Sequence, residues 1–202
     1  MKKFALYINT GGGCSGGILA HSETRDYIDS VDMYDFTGEE LKNYEVLLIG
    51  TDADQRRLME LKSHIDAFLA SGKTVIFCGA IAYPFLDGVG KFEKMYYSSY
   101  LDYAVTPVAG HPIWEGVKPS DMMMRRGVAG FYARGFNPPP SNALIINTLG
   151  SGKHPIDYEF KTLSGGRVVV HSGNNLWLFI DDDTTSAKMG TNLINWLKKE
   201  IA

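Results

Sequence analysis

Apolar positions come first in short continuous runs and later in periodic ones. Residues 4–8 (FALYI), 46–49 (VLLI) and 74–77 (TVIF) each predict a buried strand. Between the last two, Leu58, Leu61, Ile65, Phe68 and Leu69 recur at helical spacing. Arg56, Arg57, Glu60, Lys62 and Asp66 fall on the other faces, and Gly72 stands where a C-terminal cap belongs. Strand, helix and strand in this order form a βαβ unit with a right-handed crossover. Residues 18–28 predict a helix and residues 31–36 a second, alternating strand. Thr37 and Glu40 have capping-box spacing, so a short helical turn through Leu41 follows.

Beyond residue 80 the periods are less clean. Residues 96–105 and 122–132 predict strands, and Pro138, Pro139 and Pro140 a rigid turn. Residues 143–147, 157–160 and 167–170 predict three more strands. A closing helix over 184–201 buries Met189, Leu193, Trp196 and Leu197 and carries Lys198 and Lys199 in its last turn, with Asp183 as its N-cap. Early βα alternation followed by a strand-rich half predicts one α/β domain over residues 1–202. Its core is a three-layer, flavodoxin-like open sheet, mostly parallel, with antiparallel strands added in the second half.

Composition narrows the function classes. With 45% apolar and 21% charged residues the chain is of ordinary globular type. Twenty Lys and Arg against 23 Asp and Glu leave a formal charge of −3, so no basic field exists to neutralise many phosphates. Nucleic acid is not an expected partner. No stretch approaches the roughly 20 apolar residues of a membrane helix, and residues 1–3 lead straight into the first strand without a signal-peptide core. Cys14 and Cys78 have no CxxC spacing. The expectation is a soluble, cytoplasmic chain with reduced thiols, no cofactor and no metal.

Open parallel sheets bind ligands outside the carboxyl ends of their strands. Thr10 and the glycines Gly11, Gly12 and Gly13 follow the first strand; Thr51, Asp52 and Asp54 follow the third. Cys78 and Gly79 end the fourth, and His171, Ser172, Asn174 and Asn175 end the strand at 167–170. These are the candidate ligand groups. The 11–16 segment also matches G-x-G-x-x-G, with Asp35 about 20 residues on; a glycine-rich turn satisfies the same pattern. A helix starting after Gly79 would lower the Cys78 thiol pKa, and His171 could then serve as its base. His21 could join Cys14, two groups short of a metal site. The tyrosines at 96, 97, 100 and 103, with Trp114, Phe131, Tyr132 and Phe136, suit core packing or the wall of a flat or sugar-like site.

Several segments together resemble the class I glutamine amidotransferase-like superfamily. Residues 39–49 are similar to its approach to a central strand, and 65–77 (IDAFLASGKTVIF) to its I-x-x-F-x-x-x-G-G-x-hydrophobic passage. Residues 110–117 (GHPIWEGV) resemble the H-P-I-x-x-G segment of the trehalose-utilisation (ThuA-like) branch, and 165–170 with 192–197 the closing strand and helix. The resemblance implies a nucleophilic Cys on a G-x-C-x-G elbow and a His-x-Glu pair. This chain has Cys78-Gly79-Ala80 without flanking glycines on both sides, and His171-Ser172-Gly173 without the Glu. It therefore implies a protein that binds a small polar metabolite, sugar derivatives being one class, without glutaminase activity. Two alternatives stay open: a Cys–His hydrolase or amidotransferase using Cys78 and His171, and a non-catalytic interaction or subunit protein. Homo-oligomerisation is left open.

Overall fold

The computed structural model describes residues 3–11 and 16–201. The early apolar runs become strands β1 (Ala5–Asn9), β2 (Ile28–Asp32), β3 (Val46–Ile49) and β4 (Thr74–Cys78). The later part adds β5 (Glu93–Lys94), β6 (Val105–Pro107), β7 (Met124–Arg125), β8 (Val128–Ala129) and β9 (Gly135–Phe136). Three longer strands follow, β10 (Leu144–Leu149), β11 (His154–Lys161) and β12 (Arg167–His171). One eight-stranded sheet runs β2-β1-β3-β4-β12-β11-β10-β6. Its first five strands are parallel and its last three antiparallel, as the sequence predicts. The remaining short strands form two ribbons, β5 with β9 and β7 with β8.

Alternation along the strands divides the apolar residues between two layers. Ala5, Tyr7, Val46, Leu48, Ile76 and Val169 face one way. They pack against the buried stripe of α6 (Lys188–Ile201), which contains Met189, Leu193, Trp196 and Leu197. Leu6, Ile8, Leu47, Ile49, Val75, Phe77, Val168 and Val170 face the other way. Leu58, Leu61, Ile65, Phe68 and Leu69, from α3 (Gln55–Glu60), α4 (Lys62–Ala70) and the joint between them, cover that face. Both faces of β3 and β4 are thus buried, which is why these strands read as unbroken apolar runs. The other helices are short: α1 (Gly16–Ala20), α2 (Ser22–Arg25) and α5 (Pro119–Met123).

Several expected elements differ. The predicted strand at 31–36 is β2, displaced toward the N-terminus. Ala5 pairs with Ile28, and a turn from Asp32 then buries Met33 and Phe36. Of the predicted strand over 96–105 only its end pairs, as β6; Ser99 and Asp102 form a capping box that starts a 3-10 turn at Tyr100–Tyr103. Residues 122–132 do include strand, as the two-residue β7 and β8 of one ribbon, after the end of α5. The long helix is interrupted at Leu61, which caps both α3 and α4. No helix follows Gly79. The last helix is preceded by a 3-10 turn with Thr184, not Asp183, at its N-cap. The Glu40 carboxylate does reach back to Thr37, but the Thr37 hydroxyl accepts from Glu39. No helix among the described residues is long and apolar enough to cross a membrane.

Asp54 begins α3, its carboxylate accepting the amides of Arg56 and Arg57 at 3.0 and 3.3 Å. Asp54→Ala is expected to cost about 1 kcal/mol in urea unfolding and Asp54→Ser much less, because serine also caps. Equal losses for the two variants would remove the capping role.

Candidate functional site

The chain order 2-1-3 reverses direction at β1, so the strand ends there open onto one edge. Those of the predicted residues that are described lie on it. Thr10 donates to Asp52 at 2.5 Å, and the Thr51 amide donates to the Asn175 side chain at 2.8 Å. The Gly79 amide donates to the His171 carbonyl at 2.9 Å, continuing the β4–β12 pairing by one residue. Gly79 has φ +136°, and a Cβ there would lie 3.0 Å from Thr51 Cα, so only glycine lets the two strand ends approach this closely. Gly11 is exposed and its amide donates to the Asn9 side chain. Gly12 and Gly13, like Cys14, lie outside the described residues. Asp54 serves as the α3 cap and also accepts from Tyr34 at 3.3 Å.

An open cleft of about 380 Å³ lies on this edge. Thr51 after β3, Ala80 after β4 and Ser172, Gly173 and Asn174 after β12 line it, opposite residues 130–134. Asn137, wholly buried, joins these parts. Its side chain donates to the Gly79 carbonyl at 2.7 Å and to Ser172 Oγ at 3.1 Å, and accepts the Ile81 amide at 2.8 Å. Its backbone amide also donates to Ser172 Oγ, at 3.0 Å. The opposite wall is fixed by a bridge between Ala133 and Gly173 and by Asn174, which donates to the Phe131 carbonyl at 2.6 Å. Any Cβ on Gly173 would strike the Tyr132 carbonyl and come within 2.7 Å of His171 Nε2. A larger hollow of about 810 Å³ lies between α4 and residues 160–164. It sits at the amino end of β4 and β12, away from the convergent strand ends, and its apolar lining includes Leu69, Pro140 and Phe160.

Beneath the cleft runs a buried polar chain. Asp157, His171 and Cys78 occupy one register row across β11, β12 and β4. His171 Nδ1 and Asp157 Oδ1 are hydrogen-bonded at 2.6 Å, both side chains without exposed surface. Tyr132 and Asn147 donate to Asp157 Oδ2 at 2.7 and 2.8 Å, and the Trp114 indole donates to the Tyr132 hydroxyl at 2.6 Å. The Tyr132 ring lies 4.3 Å from the His171 ring, centroid to centroid. Burial, then the charge of Asp157, holds the Tyr132 phenol well above its ordinary pKa. His171 Nε2 is buried with no hydrogen-bond partner among the described residues.

Cys78 has no exposed surface. Burial and the Asp157 charge push its thiol up to about 12, against an opposing hydrogen bond from the Leu176 backbone. The expectation of a lowered thiol pKa is therefore corrected, since the helix that would have lowered it does not form. His21 pairs with Asp181 at 2.6 Å, and Asp182 takes Arg125 and Arg126. No cluster of three potential metal-ligating side chains occurs among the described residues. Tyr96, Tyr97 and Tyr100 are exposed, whereas Tyr103, Trp114 and Tyr132 are buried, so the aromatic segment divides between surface and core.

No protein-family model and no curated protein matches this sequence. Solved structures do match its shape. Cytoplasmic protein STM3548 from Salmonella typhimurium aligns over 97% of this chain and 98% of its own, with 12% identity and a TM-score of 0.60. The N-terminal domain of mmIFT52 aligns over 97% of both chains, with 12% identity and a TM-score of 0.57. At these identities the likeness is one of fold.

Sequence reading did not single out Asn137, Asp157 or Arg134. Asp157 left one trace: a carboxyl residue between Ile156 and Tyr158 in a strand whose neighbours are buried.

The sealed thiol generates a pH prediction. Its folded pKa lies above the ordinary value, so its contribution is intact below about pH 9 and lost between about 9 and 12, as the unfolded thiol ionises first. Iodoacetamide at pH 7.5 should leave the Cys78 peptide unmodified in native protein and label it in urea, read by mass spectrometry. Rapid native labelling of Cys78 would contradict the sealed position.

Proposed function

We propose that this chain is a glutamine amidotransferase-like α/β protein of the ThuA-like kind, cytoplasmic, that binds a small polar metabolite and has no glutaminase activity. The observation that carries the binding reading is the carboxyl-edge cleft. Three strand ends and an opposing loop converge there, with hydroxyl, amide and guanidinium side chains on its walls. A volume of about 380 Å³ suits a metabolite the size of a sugar or sugar derivative. The lack of glutaminase chemistry is supported by Gly79 at the sharp turn after β4, by the buried Cys78 and by Gly173 two residues after His171. Sharing a fold with other proteins does not choose the ligand.

A second reading, a Cys–His hydrolase, is favoured by one observation. Asp157, His171 and Cys78 stand in a single register row, and His171 Nδ1 is bonded to a carboxyl group as an oriented base requires. It further requires Cys78 to reach a substrate, which its buried position opposes.

Ala80 is exposed and lines the cleft, so Ala80→Trp fills the site while leaving the core intact. A thermal-shift screen of sugars, sugar acids and sugar phosphates should yield binders of the wild type that lose their effect in Ala80→Trp. Binders whose shifts are unchanged by Ala80→Trp would move the site elsewhere.

A further inference from the structure

We infer that the metabolite bound in this cleft carries an oxyanion, a carboxylate or a phosphate, recognised by Arg134 and Ser172; the inference rests on the cleft reading above. Among the described residues lining the cleft, Arg134 is the charged one, and none is Asp or Glu. The other described arginines are engaged elsewhere. Arg25, Arg57, Arg125, Arg126 and Arg167 each pair with a carboxylate, and Arg56 donates to the Tyr83 hydroxyl. Among the described residues, the Arg134 side chain donates through Nε to the Gly130 carbonyl at 3.0 Å, and its terminal amino groups have no carboxylate within salt-bridge distance. That Nε bond orients the guanidinium on the same loop that walls the cleft. It leaves the planar pair of N–H groups suited to two-point recognition of an oxyanion.

The floor supplies an independent observation. Ser172 is 1% exposed and lines the cleft. Its Oγ accepts two N–H bonds, from the Asn137 backbone and side chain. A hydroxyl that accepts twice still has one hydrogen to donate, and that hydrogen meets no acceptor among the described residues. A buried donor without an acceptor is costly, and an oxyanion in the cleft would supply one. Asp52, on the same edge, is held by Thr10 and does not line the cleft.

Glucose, gluconate and glucose 6-phosphate share a carbon skeleton and differ in charge, so they are suitable probes for calorimetry on the full chain. Gluconate, glucose 6-phosphate or both should bind the wild type more tightly than glucose, more weakly as salt rises. Arg134→Gln should cost that binding about tenfold or more. Arg134→Lys, which keeps the charge but not the Nε bond, should lose less. Whichever anion binds better identifies the headgroup. Glucose binding that is blocked by Ala80→Trp, with the anions no tighter, would overturn the charge assignment and leave the cleft reading standing. Anion binding unaffected by Arg134→Gln, equal losses in the Lys and Gln variants, or no anion binding at about 10 mM would each overturn the assignment as well; the cleft reading would then depend on the Ala80→Trp screen alone.

Discussion

A carboxyl group with no exposed surface sits inside the sheet at Asp157, and much of the surrounding structure follows from satisfying it. Taking such a group out of water is expensive unless hydrogen bonds replace the lost hydration. Three hydrogen-bond partners converge on it from different parts of the chain: His171 on β12, Asn147 on β10 and Tyr132 on the loop over the strand ends. The first ties β11 to the parallel block at β12, and the second ties β10 to β11. The third draws the 130–134 segment down onto the carboxyl edge, where Ala133 bridges Gly173. The cleft exists because that segment is held there; without it the ends of β3, β4 and β12 would face open solvent.

The same constraint shapes the chemistry. The Tyr132 ring and the Asp157 charge seal the row that contains Cys78, and the thiol beside them stays protonated. The polar groups that line the cleft lie one layer higher, on Thr51, Ser172, Asn174 and Arg134. Glycine at 79 and 173 is a packing requirement of this arrangement, since a side chain at either place would push Thr51 or the Tyr132 carbonyl away. The two layers therefore have separate work: a buried carboxyl–imidazole pair that positions the loop, and a cation-bearing cleft above it. The alternative in which His171 acts as a base requires these layers to exchange contents.

The parallel half was legible because its determinants are local. Val46–Ile49 and Thr74–Cys78 are buried on both faces and so are continuous in sequence, and the α4 stripe repeats at helical spacing. The edge group was legible for the same reason: once the sheet is parallel, Thr10, Asp52, Gly79 and Asn174 must emerge on one side. The middle of the chain was not. Residues 80–142 contribute ribbons of two residues and short turns, whose positions depend on partners far along the chain. Asn137 follows strand β9 and has no motif around it, yet it ties Gly79 to Ser172. Arg134 is set apart by having no carboxylate partner among the described residues, which is a property of three-dimensional neighbours. Cys78 invited a reactive reading from its place at a strand end; the fold gives that place to the core.

The Tyr132–Asp157 bond holds the cleft wall in place, and native-state hydrogen exchange in a Tyr132→Phe variant probes that hold. The variant removes one donor from Asp157 and leaves the Trp114 indole without its acceptor. The amide of Asn174, which donates to the Tyr132 carbonyl, should then exchange about tenfold faster or more, while β3 amides are little changed. Exchange at Asn174 that stays at the wild-type rate would contradict a holding role for this bond.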